Sequence, residues 1–116
     1  MAISVYYLDD EPELLELFSD LISSDEIIVR TFSDPKLALE AILARPPDLL
    51  FLDYRLPNTT GDKIALQLDP KIPKILITGD LEITLEANFT AILHKPFSSK
   101  DVKTLIETFK NGPTKA

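Results

Sequence analysis

The stretch Asp48-Leu49-Leu50-Phe51-Leu52-Asp53 decides the fold. Four apolar residues follow one another with no polar alternation, and an aspartate closes the run at each end. Such a run predicts a strand buried on both faces, as in a parallel sheet. Parallel strands need long crossovers, so helices are expected between this strand and its neighbours. Upstream, Ile3 to Leu8 is rich in β-branched and aromatic residues and predicts a first strand, stopped by Asp9-Asp10-Glu11-Pro12. Pro12 suits the first turn of a helix, along which Leu14, Leu17, Phe18, Leu21 and Ile22 recur at helical spacing. Ile27 to Phe32 predicts a second strand. Asp34-Pro35 starts a helix with Leu37, Ala38, Ala41 and Ile42 on one face, and Pro46-Pro47 ends it.

Downstream, Asn58-Thr59-Thr60-Gly61 predicts a loop and Asp62 to Leu68 a brief helix, broken by Pro70 and Pro73. Lys74 to Thr78 and Ala91 to His94 predict the fourth and fifth strands, with a short helix between them over Asp80 to Ala87. Ser98 and Asp101 have capping-box spacing ahead of a helix whose face carries Val102, Leu105, Ile106 and Phe109, and Asn111-Gly112-Pro113 ends it. Five repeats of strand then helix imply a doubly wound α/β fold: a five-stranded parallel sheet with helices on both faces. Residues 1–110 form one domain, and residues 111–116 are a short tail.

Composition narrows the chemistry. A chain of 116 residues suits one domain with its own core. The absence of cysteine excludes disulfides, thiolate catalysis and zinc–thiolate sites. The start lacks the basic region and apolar run of a signal peptide, and no apolar run approaches the ~20 residues of a membrane span, so a cytoplasmic protein without membrane contact is expected. Nineteen acids against twelve Lys and Arg give a net charge of −7, which repels nucleic-acid phosphates and suits a cation or a basic partner. For most of these charges, solubility is an equally good explanation.

In open parallel sheets, ligands bind beyond the carboxyl ends of the strands. There the strands deliver Asp9 and Asp10, then Asp53, then Thr78 with Gly79, then His94, Lys95 and Pro96. Three neighbouring carboxylates repel one another, and a hard divalent cation relieves that cost. Magnesium takes oxygen ligands and keeps waters that a phosphate can replace. A carboxylate can also attack phosphorus to give an acyl phosphate, with a lysine and a threonine hydroxyl holding the phosphoryl oxygens. Each residue alone has a plainer reading. Asp9-Asp10 suits a helix start, Thr78 a strand end and Lys95 a solvated charge, and only their convergence favours a site. His94, the lone histidine, is given no role. Lys63, Lys71 and Lys74 are expected on a solvated face, and Tyr6, Tyr7, Phe18 and Phe32 in or beside the core.

The ordered set Asp9-Asp10, Leu-Leu-Phe-Leu-Asp53 with Pro57 and Gly61, Ile-Leu-Ile-Thr78-Gly79 and Lys95-Pro96-Phe97 resembles the receiver domains of two-component response regulators, from Ile3 to about Phe109. The resemblance implies a flavodoxin-like sheet in the order 2-1-3-4-5. It implies that Asp53 accepts a phosphoryl group from a sensor histidine kinase or a histidine phosphotransfer protein, with at most slow self-catalysed phosphorylation and dephosphorylation rather than turnover as an enzyme. Asp10, Asp53 and the backbone carbonyl of Arg55 would hold Mg2+ (or Mn2+), with Asp9 assisting. Thr78 and Lys95 would bind the phosphoryl group, and the Lys95-Pro96 peptide would be cis. The output would be a switched protein–protein interaction, as a monomer or a phosphorylation-dependent dimer, with no nucleic-acid contact from this segment.

Two features depart from the family pattern. Ile92 stands where an aromatic residue, three before the lysine, usually relays the switch. The segments from Asp53 to Thr78 and from Thr78 to Lys95 look about one helical turn short. A phosphorylation-independent interaction module on the same fold is therefore the main alternative. A haloacid-dehalogenase-type phosphatase would want a second acid where Arg55 stands, and a flavodoxin would want a phosphate-cradling loop where Asp9-Asp10 stand.

Overall fold

The computed structural model describes residues 2–111, and the expected tail beyond them lies outside the described residues. The apolar run forms β3 (Leu49–Asp53), every residue of it buried. Around it lie β1 (Ile3–Leu8), α1 (Pro12–Ile22), β2 (Ile27–Phe32) and α2 (Pro35–Ala44). After it come a two-residue hairpin, β4 (Arg55–Leu56) and β5 (Thr59–Thr60), then α3 (Gly61–Leu66), β6 (Lys74–Thr78), β7 (Ala91–His94) and α4 (Ser99–Lys110). The main sheet is five-stranded and parallel, in the order β2-β1-β3-β6-β7. With the hairpin strands set aside, this is the expected order 2-1-3-4-5. The hairpin turns at Asn58, whose φ of 62° lies in the left-handed region that asparagine tolerates better than most residues.

Strand parity divides the core into two layers. Val5, Tyr7, Leu49, Phe51, Ile75, Ile77 and Leu93 face α1 and α4, meeting Leu15, Phe18, Ile22, Val102 and Ile106. Tyr6, Leu8, Leu50 and Leu52 face the other way, onto Ala38 and Ile42 of α2 and Ile64 and Ala65 of α3. In the first layer the Phe18 ring lies 4.6 Å from that of Tyr7 and 5.3 Å from that of Phe51, an aromatic cluster directly beneath the strand ends. Helix starts are secured locally. Asp34 accepts from the Lys36 amide at 3.0 Å, Thr60 from the Lys63 amide at 3.1 Å, and Ser98 with Asp101 closes the expected capping box.

Several details differ from expectation. Residues 80–87 contain no helix: the segment between β6 and β7 is irregular, so the fourth strand–helix repeat is incomplete. The brief third helix starts at Gly61 and ends at Leu66, two residues before Leu68. Leu17, Leu21 and Leu37 are exposed, because the apolar stripes of α1 and α2 are wider than the faces that meet the sheet. Lys74 is buried rather than solvated. Its ammonium donates to the carbonyls of Asp69 and Ile72, both at 2.9 Å, and so ties off the turn before β6. Burial lowers the pKa of Lys74, with the nearby Asp69 opposing.

Candidate functional site

Parallel register alone gathers the site. Leu8 pairs with Leu52, so Asp9 and Asp53 follow on adjacent strands. Asp53 pairs with Ile77, which puts Thr78 one residue further along. Thr78 in turn pairs with His94, and Lys95 comes next. Asp9, Asp53 and Thr78 are buried, whereas Asp10 is exposed at the rim.

One carboxylate oxygen from each of Asp9, Asp10 and Asp53 lies within 4.8 Å of the other two. The Lys95 ammonium stands 3.1 Å from Asp53 Oδ1, 3.5 Å from Asp9 Oδ2 and 3.5 Å from Glu11 Oε2. The Tyr7 hydroxyl donates to Asp9 Oδ2, and the Glu11 amide donates to Asp9 Oδ1 at 3.0 Å. Both oxygens of Asp9 are thus held by donors. The Lys95-Pro96 peptide is cis, as expected. Lys95 also joins the sheet through its amide, which donates to the Thr78 carbonyl at 2.8 Å.

Charge is unbalanced here. Burial first, and the charge of Asp9 next, push the Asp53 pKa up to about 6; Lys95 pulls against them and Asp10 adds to them. Burial alone would lower the pKa of Lys95, but its bond to Asp53 and the charges of Asp53, Asp9 and Glu11 outweigh that and raise it. Burial, then the bond to Asp9 and the surrounding acids, raise the Tyr7 pKa far above its ordinary value, so Tyr7 is a fixed donor. One ammonium faces a cluster of three carboxylates. The donors are all oxygen and anionic, and two of the three acids are buried. That set fits a hard divalent cation such as magnesium or manganese.

The structure brings together Asp9, Asp10, Asp53 and Lys95 by proximity, and Thr78 by register. Thr78 Oγ1 accepts from the Asp80 amide at 2.9 Å, which leaves its hydroxyl hydrogen free to donate elsewhere. Gly79 leaves the approach open, since a Cβ there would meet only the Lys95 Cβ, at 3.9 Å. Arg55 turns its exposed side chain to Asp80, 3.0 Å from Oδ2. Sequence reasoning did not single out Tyr7 or Glu11 for this site. The signal for Tyr7 was available, because residues two apart on a strand share a face and Tyr7 precedes Asp9 by two. Glu11 reaches Lys95 from the end of the β1–α1 loop, which no sequence period reveals.

Lys95 is the cation that makes this cluster tolerable without metal. Lys95→Met is expected to destabilise the metal-free chain by about 1–3 kcal/mol at pH 7, because it leaves buried carboxylates without their counter-ion. The loss should shrink near pH 4, where Asp53 is protonated. Urea titrations at the two pH values, with chelator present, check this; equal losses at both would remove the electrostatic account.

A sequence model of the response regulator receiver domain matches residues 5–107. Among individual proteins, the DNA-binding response regulator MtrA of Mycolicibacterium smegmatis is 27% identical over 109 residues, covering 88% of this chain and 48% of that protein. The nitrogen assimilation regulatory protein NtrX of Azorhizobium caulinodans is 29% identical over 118 residues, covering 92% of this chain and 26% of that one. The chain thus spans half or less of these relatives. Among solved structures, a CheY-like response regulator receiver domain protein from Methanospirillum hungatei superposes with a TM-score of 0.84 at 21% identity, covering 92% of both chains. Among the described residues, no helix is long and apolar enough to cross a membrane. The sheet order, the acidic rim and the family match over nearly the whole described chain agree, and the chain belongs to the response regulator receiver domains of two-component signalling systems.

Proposed function

We propose that residues 1–110 act as a phosphoacceptor switch: Asp53 takes a phosphoryl group from a histidine kinase or histidine phosphotransfer protein in a magnesium-dependent reaction. The observation that carries this reading is a buried aspartate, 3.1 Å from a lysine, inside a cluster of three carboxylates. Asp10 and Asp53, with the Arg55 backbone carbonyl, are the residues that would hold the cation, and Asp9 would support them. When bound, the cation would neutralise the carboxylates and the incoming phosphoryl oxygens.

A carboxylate oxygen of Asp53 attacks phosphorus, the bond from phosphorus to the donor's imidazole nitrogen breaks, and its electron pair stays on the imidazole. Lys95 moves its attraction from the Asp53 carboxylate to a phosphoryl oxygen. Thr78 donates its free hydroxyl hydrogen to another. Attack by water on the acyl phosphate would later restore Asp53, so the protein is a slow switch rather than a turnover enzyme. The state of Asp53 would then change a protein–protein contact of a cytoplasmic regulator. The match to DNA-binding and transcriptional regulators suggests a separate output domain or partner, not nucleic-acid contact by this acidic unit.

Incubation with acetyl phosphate and magnesium, followed by intact-mass measurement, tests the proposal. The expected result is a gain of one phosphoryl group that disappears when magnesium is chelated. The phosphorylation-independent module remains the second reading, favoured by the half-exposed Ile92 and the missing helix over residues 80–87. Absence of an adduct with acetyl phosphate, carbamoyl phosphate and phosphoramidate, while magnesium still shifts the melting temperature, would select it.

A further inference from the structure

Asp62 occupies the first turn of α3 and is buried, yet no cation pairs with it among the described residues. Its carboxylate instead reaches across to the irregular segment between β6 and β7. Oδ1 and Oδ2 accept from the Glu86 amide at 3.2 and 2.9 Å, and Oδ1 accepts from the Ala87 amide at 2.9 Å. In a helix over Asp80–Ala87 those two amides would donate to the carbonyls of Glu82 and Ile83. The carboxylate and the helix therefore compete for the same two hydrogens.

The helix needs both the release of those amides and packing against the sheet. The segment Asp80-Leu81-Glu82-Ile83-Thr84-Leu85-Glu86-Ala87 reads as a short helix from its sequence, but eight residues are too few for a helix to persist in water unaided. Ile83 and Thr84 are β-branched and weaken it further. Charge-assisted bonds are about twice as strong as neutral ones, so a carboxylate taking two consecutive amides outweighs two peptide carbonyls. The front of the segment is tied as well, through the ion pair of Asp80 with Arg55. Both tethers spring from the limb between β3 and the first turn of α3.

We propose that Asp62 is a latch: by capturing the Glu86 and Ala87 amides it holds residues 80–90 as an irregular lobe, and its release lets Asp80–Ala87 wind into a helix. The lobe carries Leu81, which is 89% exposed, and borders Ile92, so winding would rebuild the surface beside β7. The latch stands on hydrogen bonds alone and does not depend on phosphoryl acceptance.

Backbone NMR of the whole chain, in metal-free buffer, tests it. In the parent, amide-exchange protection across residues 81–89 should be confined to Glu86 and Ala87, with non-helical Cα shifts throughout. In Asp62→Leu, Cα shifts of residues 82–87 should move towards helical values, and exchange at Glu86 should change by roughly tenfold while β3 and β6 amides keep their rates. Asp62→Asn, which keeps one acceptor oxygen, should lie between. Unchanged shifts in Asp62→Leu, or a change to coil without helical shifts, would overturn the proposal. If Asp62→Leu does not fold, Thr84→Ala is compared alone and in combination with Asp62→Asn. Helical shifts gained only in the double variant support the latch, and equal helix content in the two overturns it.

Discussion

In metal-free buffer, Asp53→Asn is expected to be more stable than the parent chain at pH 7, by on the order of 2 kcal/mol, and to take up no phosphoryl group. The two effects have one cause. The pKa of Asp53 is 3.8 in a free side chain and about 6 in the fold, mainly because burial and then Asp9 disfavour its charge. Between those values the folded chain holds a proton that the unfolded chain has released, so stability falls as pH rises from about 4 through about 6. Asparagine has no proton to lose. The gap between variant and parent should therefore open across that window, stay open at pH 7 and close below about pH 4. At about 1.4 kcal/mol per pH unit, the interval corresponds to a few kcal/mol, reduced by whatever contact with Lys95 the variant gives up.

Magnesium should narrow the gap. Binding to the folded state stabilises it by mass action, and the variant has lost one of the three carboxylates. Urea denaturation at pH 4 and pH 7, each with chelator and with millimolar magnesium, reads all four conditions. A stability difference independent of pH would sink the electrostatic argument, and an adduct on the variant would move the acceptor away from Asp53. A site that is costly without its cation is consistent with selection for chemistry rather than for stability, a trade common at buried functional carboxylates.

How much of this was legible depends on the range of the forces involved. The strands Ile3–Leu8, Ile27–Phe32, Lys74–Thr78 and Ala91–His94 have the same bounds in sequence and structure, because each is a short run rich in apolar residues that ends at a polar residue or glycine. Once those runs are parallel, Asp9, Asp53, Thr78 and Lys95 must share one rim, so most of the site was readable as topology. What local periodicity missed was decided by remote polar groups. The segment over Asp80–Ala87 has helical spacing, but its amides bond to Asp62, 24 and 25 residues away. Lys74 reads as a surface charge until carbonyls at Asp69 and Ile72 fold back onto its ammonium. Tyr7 reads as core, and is core, but its hydroxyl also fixes Asp9. In each case an apolar pattern gave the right neighbourhood, and a hydrogen bond to another part of the chain set the role.

Gly61→Ala should be among the most damaging single-methyl changes in the chain, although Gly61 is no candidate ligand. A Cβ at this position would lie 2.4 Å from the carbonyl oxygen of Asp53 and 3.3 Å from the Leu52 Cβ. The first obstacle is backbone in the central strand, so no side-chain rotamer relieves it. The Gly61 amide also donates to the Tyr54 carbonyl at 2.8 Å, which pins the start of α3 against the end of β3. The structure can admit the methyl only by pushing α3 away from β3 or by displacing Asp53 itself. Overpacking of this kind costs about 1–3 kcal/mol and more where backbone must move. A loss of about 3 kcal/mol would lower the melting temperature by about 10 °C or more in a domain of this size. Because Thr60 and Asp62 flank the glycine, the same displacement should loosen the α3 cap and the contacts of Asp62 with the lobe. Ala65→Gly on the same short helix is the control: it weakens α3 by propensity and a small lost contact, roughly 1 kcal/mol, without touching Asp53. If Gly61→Ala melts within a degree or two of the parent and still takes up phosphate at the parent's rate, the close approach of α3 to Asp53 has no structural or functional weight.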